Sequence, residues 1–233
     1  METITNYEQL AEHLIDNGVT MLWKELFEMP IRNFEKMDSV EGDIVECGVW
    51  RGGASIFLSL LFQDKKVWCC DSYEGFQPLD EVTYEFNGER HTPQFAHGAK
   101  GPLAISLEEV KEHFSNYGLD DDVRINFLKG FVNKTLPTAP IEKISILRLD
   151  VDSYSATLDI LDNLYSKVQP GGFIIFDDAN LKESFEAIKD FMVRENIPLE
   201  LHNPYNDELY PIDKGPVVET DSGFHSNSYL IKR

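Results

Sequence analysis

The chain has 233 residues, 42% apolar and 12% aromatic, enough to bury a substantial core. Its 21 Lys and Arg face 41 Asp and Glu, a net charge of −20 that repels nucleic-acid phosphates and anionic membranes and so argues against both as partners. Three cysteines make no disulfide framework, no apolar run reaches ~18 residues, and the acidic start lacks the basic and apolar regions of a leader peptide, so a cytoplasmic protein is expected.

Residues 5–39 read as helices with an apolar stripe (Leu10, Leu14, Met21, Leu22, Leu26, Phe27), broken near Gly18 and Pro30. Strand 43–47 then leads through glycines into a helix near 53–63 and a strand over 66–71. Residues 72–104 show no clear period and are too long for a simple connection, which suggests a lid or substrate loop. Helix 106–117 opens on Ser106 with Glu109 three residues later, a capping box, and closes on Gly118. Strands over 123–129 and 144–150, a helix over 155–168, a turn at Gln169-Pro170-Gly171-Gly172, strand 172–177 and helix 181–196 follow. Two late strands near 198–203 and 226–231 form an antiparallel hairpin around the loop 204–225. The alternation predicts one doubly wound, mostly parallel seven-stranded α/β domain over 1–233, with residues 1–40 as an N-terminal helical extension.

Four of the apolar runs stop on acids: Glu46, Asp71, Asp150, and the pair Asp177-Asp178. Parallel strands point one way, so these five carboxylates meet along the sheet edge where open α/β folds bind ligands. Such crowding needs a cation among them or a ligand to hydrogen-bond. Asp150, Asp177 and Asp178, with no His or Cys nearby, form a hard oxygen site suited to Mg²⁺, Mn²⁺ or Ca²⁺. The competing reading is that Asp177 caps the next helix and Asp150 caps a loop. At Glu46-Cys47-Gly48-Val49-Trp50-Arg51-Gly52-Gly53 a strand turns through glycines into a helix start, which suits a nucleotide-like ligand. Three residues between Gly48 and Gly52 disfavour the dinucleotide fingerprint. The spacing instead resembles the first motif of S-adenosylmethionine-dependent methyltransferases, with Asp71 about 20 residues on, placed for ribose hydroxyls.

With these residues in hand, the chain resembles the macrocin O-methyltransferase (TylF) family of sugar O-methyltransferases. The matching segments are residues 42–53, 71–76, 106–110, 117–119 and 130–137, then Leu147-Arg148-Leu149-Asp150-Val151-Asp152-Ser153-Tyr154 and Pro170-Gly171-Gly172-Phe173-Ile174-Ile175-Phe176-Asp177-Asp178. In order, they cover roughly residues 40–196. The resemblance implies a class I (Rossmann-like) methyltransferase fold, S-adenosylmethionine as donor and a divalent cation, usually Mg²⁺. It implies that Glu46 and Gly48 line the methionine end of the donor, with Trp50 and Gly52 in the same turn. It further implies Asp71 on the ribose with Ser72 beside it, Phe131 and Val132 flanking adenine, and Asp150, Asp177 and Asp178 as metal ligands, Asp150 doubling as general base.

Two departures bear on the acceptor: Val151 stands where the family usually has the glycine of Asp-Gly-Asp, and Ala179-Asn180 follow Asp178 where it tends to have an aromatic residue. His91 and His97 in the 72–104 loop are rival bases, and Arg148 inside its strand reads as a structural partner for an acid. The expected function is Mg²⁺-assisted methyl transfer to a hydroxyl of a sugar or glycoside. The alternatives are a catechol-like or other vicinal-diol acceptor, and a non-catalytic donor-binding scaffold. Apolar positions on the N-terminal helices beyond what one sheet needs suggest a homo-oligomer, a dimer or tetramer.

Overall fold

The computed structural model describes residues 6–76, 84–86, 89–91, 103–213 and 227–233, the two short stretches as backbone alone. Three helices come first: α1 (Tyr7–Asp16), α2 (Lys24–Arg32) and α3 (Phe34–Ser39). The alternating part comprises β1 (Asp43–Cys47), α4 (Gly53–Leu61), β2 (Val67–Asp71), β3 (Tyr84–Phe86), β4 (Glu89–His91), α5 (Leu107–Asn116), β5 (Ile125–Lys129) and α6 (Val132–Thr135). It continues with β6 (Ile144–Leu149), α7 (Tyr154–Leu164), β7 (Val168–Phe176), α8 (Lys182–Arg194), β8 (Glu200–His202), β9 (Leu209–Pro211) and β10 (Ser228–Ile231).

The main sheet has the order β5-β2-β1-β6-β7-β10-β8-β9, parallel from β5 to β7 and antiparallel beyond. Successive residues of the central strands point to opposite faces: Ile44 and Ile146 pack with α1, α4 and α5, whereas Val45 and Leu147 pack with α7 and α8. Both faces are covered, which is why these strands are apolar throughout. Fully buried side chains such as Leu14, Phe57 and Leu164 contribute about 2 kcal/mol each by leaving water. The strand order reverses between β1 and β6, so a crevice opens at their carboxyl ends.

Three expectations are corrected in detail. Pro30 does not break the second helix. α2 runs through it to Arg32, and the chain bends at Asn33, whose N–H bonds the Met29 carbonyl. Residues 169–172 are not a free turn but lie within β7, which starts at Val168: Val168 pairs with Ile144, and Gly171 donates to the Lys232 carbonyl at 2.8 Å. The sheet gains an eighth strand, because Leu209–Pro211 pairs with Glu200–His202 in the region read as a loop. The two late strands do lie antiparallel, meeting at Tyr229 and His202, but β10 pairs mainly with β7 and the hairpin of β8 is made with β9. The Ser106 cap is present, accepting the Glu109 N–H at 3.2 Å.

Candidate functional site

The crevice begins where β1 ends. Gly48 has φ +84, and a Cβ there would lie 1.7 Å from the Asp150 carbonyl oxygen, so only glycine lets this turn pass the end of β6. Trp50 also has a positive φ, +46, a costly conformation for a bulky residue that its surroundings must hold in place. Asp71 supplies the restraint. Its Oδ2 accepts the Val49 N–H at 2.6 Å and the Trp50 N–H at 3.2 Å, while Oδ1 accepts the Tyr73 N–H at 2.7 Å. Asp71 is thus a clamp between the loops after β1 and β2, and Ser72 beside it donates to the Gly75 carbonyl at 2.7 Å. Gly52 precedes α4 with its Cα turned towards Phe114, against which a Cβ would sit at 2.7 Å; it lines neither cleft.

Below this turn lies the acid cluster, and a cation from the chain itself stands inside it. Glu46 and Arg148 are register partners on β1 and β6, 1% and 4% exposed. Arg148 Nη1 donates to Glu46 Oε1 at 2.5 Å and to Asp150 Oδ2 at 2.9 Å, and Nη2 donates to Asp177 Oδ1 at 2.5 Å. The Ser55 hydroxyl, from α4, donates to the other oxygen of Glu46. Burial would lower the pKa of Arg148, but the charges of Asp177, Asp150 and Glu46 raise it well above its ordinary value, so it is a permanent cation. Burial pushes the Glu46 carboxyl up to about 7 against the pull of Arg148, and Asp177 likewise to about 7. Asp178 is raised well above the usual range by burial and by the charges of Asp150, Asp152 and Asp177. Within this cluster acids still outnumber Arg148, its single buried cation among the described residues. Asp150, Asp177 and Asp178 each bring an oxygen within 4.8 Å of the others, a donor set of the hard kind that fits Mg²⁺, Mn²⁺ or Ca²⁺. The Asn180 Oδ1, two residues further on, is buried with no donor among the described residues.

Two adjoining clefts meet at Trp50, Asp150 and Asp152. The first is lined by Gly48, Asp71, Ser72, Phe131 and Val132, bringing together most of the residues expected on the donor side. The second is lined by Glu46, Arg148, Asp177 and Asp178, with Trp23 on its wall; Met21 borders both. Glu46 therefore belongs to the acid side, locked to Arg148 and Ser55. Trp50 Nε1 is buried at the junction without a partner among the described residues, an orphan donor available to a ligand.

Sequence reasoning missed three residues here. Asp152 lines both clefts, has φ +54 and donates its N–H to Asp178 Oδ2 at 3.2 Å; burial, with the charge of Asp150, pushes its carboxyl up to about 6. Its place in the Asp-x-Asp run after a strand end was the available signal. Met21 and Trp23, 62% and 72% exposed, carried none beyond their apolar character. Most of the 72–104 loop, His97 included, lies outside the described residues, and His91 is described only as a backbone partner of Tyr84 in the β3–β4 pair.

The family model described as Macrocin-O-methyltransferase (TylF) matches residues 20–207. Mycinamicin III 3''-O-methyltransferase of Micromonospora griseorubida is 38% identical over 182 residues, 76% of this chain and 67% of its own length. The 8-demethyl-8-(2,3-dimethoxy-alpha-L-rhamnosyl)-tetracenomycin-C 4'-O-methyltransferase of Streptomyces olivaceus is 39% identical over 165 residues, 69% of this chain. The chain spans only 61% of that relative. Among solved structures, the O-methyltransferase NovP aligns with a TM-score of 0.67 at 31% identity, covering 97% of this chain and 78% of NovP.

Proposed function

The chain belongs to the macrocin O-methyltransferase (TylF) family, and on that premise we propose that it transfers the methyl group of S-adenosylmethionine to a hydroxyl of a sugar or glycoside with the help of a divalent cation. Its fold is the class I methyltransferase fold. The observation that carries the reading is the convergence of Asp150, Asp177 and Asp178 beside a glycine turn clamped by Asp71. The relatives named above are a 3''-O-methyltransferase of mycinamicin III and a 4'-O-methyltransferase of a rhamnosyl-tetracenomycin C, which supports a glycoside acceptor.

The residues fit both groups. Phe131 and Val132 would take the flat apolar base of the donor, Asp71 and Ser72 would face its ribose, and the orphan Trp50 Nε1 would donate to a polar atom of the donor or acceptor. A cation held by Asp150, Asp177 and Asp178 would supply Lewis acidity that eases loss of the hydroxyl proton. The chain does the rest. Asp150 and Asp152, on the boundary between the clefts, would accept that proton, and the two adjoining clefts would bring donor and acceptor together there. Asp150 contacts Arg148, whereas Asp152 stands outside the three-carboxylate group, beside Asp178.

The test is methyl transfer from S-adenosylmethionine to desmethyl rhamnosides, with and without chelator. Turnover lost with EDTA and restored by Mg²⁺ is expected. Full turnover in EDTA overturns the metal part, and transfer to a catechol but to no glycoside overturns the acceptor. Asp152→Asn losing about 10²–10⁴-fold in kcat while keeping its Mn²⁺ affinity would separate proton acceptor from metal ligand. No helix among the described residues is long and apolar enough to cross a membrane. Self-association belongs to the same proposal, supported by the exposure of Tyr7, Met21 and Trp23; light scattering that reads a single-chain mass overturns it.

A further inference from the structure

We infer that Arg148 is a positioning residue: it presets Asp150 and Asp177 to receive the divalent cation, while Glu46 cancels its charge from the opposite side. The inference rests on the metal reading above and deepens it. Two carboxylates at the ends of neighbouring strands would otherwise turn apart under mutual repulsion. The planar guanidinium, rooted two residues before Asp150 on β6, reaches both, Nη1 to Asp150 Oδ2 and Nη2 to Asp177 Oδ1. Each carboxylate spends one oxygen on Arg148, which fixes its rotation and leaves its second oxygen out of that contact.

A cation beside a cation site would by itself oppose metal binding. Glu46 removes that objection. It meets Arg148 Nη1 at 2.5 Å, its own second oxygen accepts from Ser55, and the buried pair adds no net charge. Asp150, Asp177 and Asp178 then face the cleft with the charge of Arg148 answered by Glu46, and the first two have their orientation set. Ser55 on α4 and Glu46 on β1 make this support continuous with the glycine turn, so the two clefts share one foundation.

The test reads Mn²⁺ affinity of the full chain by calorimetry and electron paramagnetic resonance, with no donor or acceptor present, so that it does not depend on turnover. Arg148→Lys keeps the charge and loses the fork; the double variant Glu46→Gln/Arg148→Met removes the pair without changing net charge. Both are expected to bind Mn²⁺ about 10–100-fold more weakly, the scale of losing a group that orients metal ligands. Pure electrostatics has the opposite sign for the single variant Arg148→Met, which would bind Mn²⁺ more tightly. Affinity within twofold of the unaltered chain in either of the first two variants overturns the inference. So does loss of cooperative melting in Arg148→Lys, which would make the role structural. Absence of Mn²⁺ binding by the unaltered chain removes the metal reading and this inference together. Equal binding by the unaltered chain and both variants removes the inference alone.

Discussion

Arg148 and Asp207 both sit in rings of opposite partners, and the two rings are unequal in opposite directions. Asp207 is one carboxylate with donors to spare. Arg32 reaches it through Nε at 3.0 Å and Nη2 at 2.9 Å, Tyr229 through its hydroxyl at 2.8 Å and Asn33 through Nδ2 at 3.2 Å. Those donors, Arg32 foremost, hold its carboxyl down to about 2, and the network fastens the end of α2 to β10. Arg148 is one guanidinium among acids to spare, with Glu46, Asp150 and Asp177 all bonded to it and Asp178 nearby. A cluster with surplus donors is complete within the chain. One with surplus acids at the mouth of a cleft calls for a positive guest.

The comparison breaks most visibly at Arg148. Arg148→Met leaves Glu46, Asp150 and Asp177 facing one another in a buried site, and the expected cost is about 3–5 kcal/mol of stability in urea unfolding. A loss under about 1 kcal/mol would mean that the acids are already neutral without it. The next effect tests the guest. Mg²⁺ at a hundredfold excess over its Kd is expected to add about 2.7 kcal/mol to the unaltered chain and to Asp207→Ala, but much less to Asp178→Asn. Equal stabilisation of all three would place the bound ion elsewhere. Asp207→Ala itself is expected to cost about 2 kcal/mol, because several hydrogen bonds to a charge are lost while Arg32 can still turn to water. Its methyl transfer at saturating substrate should be unchanged, since no atom of this network lines either cleft.

The central half of this comparison was legible in the sequence only in outline. Continuous apolar runs ending on acids gave β1, β2, β6 and β7 and the edge on which Glu46, Asp71, Asp150, Asp177 and Asp178 meet, because parallel strands buried on both faces leave that pattern. That Arg148 pairs with an acid was legible, but which acids was not, since pairing it with Glu46 needs the register of two strands about a hundred residues apart. The double duty of Asp71 was hidden for a similar reason: clamping Val49 and Trp50 depends on how two loops cross, not on the composition of either. Pro30 inside α2 and Pro170 inside β7 misled because proline is disfavoured within an element but does not always end it. Pro30 forgoes the bond that an N–H there would give to the Leu26 carbonyl, and the helix still runs two more residues to Arg32; Pro170 lies on the exposed early part of β7, as an edge or bulge position allows. The Asp207 network was beyond sequence reasoning altogether, for it joins the end of α2 to an elaboration of the C-terminal strands.

The smallest effect, and the sharpest for sign, is the acid limb of Asp207. Its folded pKa, about 2, lies below the unfolded carboxylate value of about 3.9. Its ionised form is therefore favoured by folding, and the stabilisation is fully present above the unfolded value and lost as pH falls towards the folded one. Partial exposure of the pair to solvent screens the effect, so about 1 kcal/mol is expected rather than the full shift. In urea unfolding, Asp207→Asn should trail the unaltered chain by that amount at pH 6, and the gap should close between about pH 5 and pH 2. A gap that widened on acidification would show that the carboxylate is not the acceptor of Arg32 and Tyr229 in solution. The two clusters would then differ in burial alone, and the distinction between a ring complete in itself and one awaiting a cation would fail at its better-determined end.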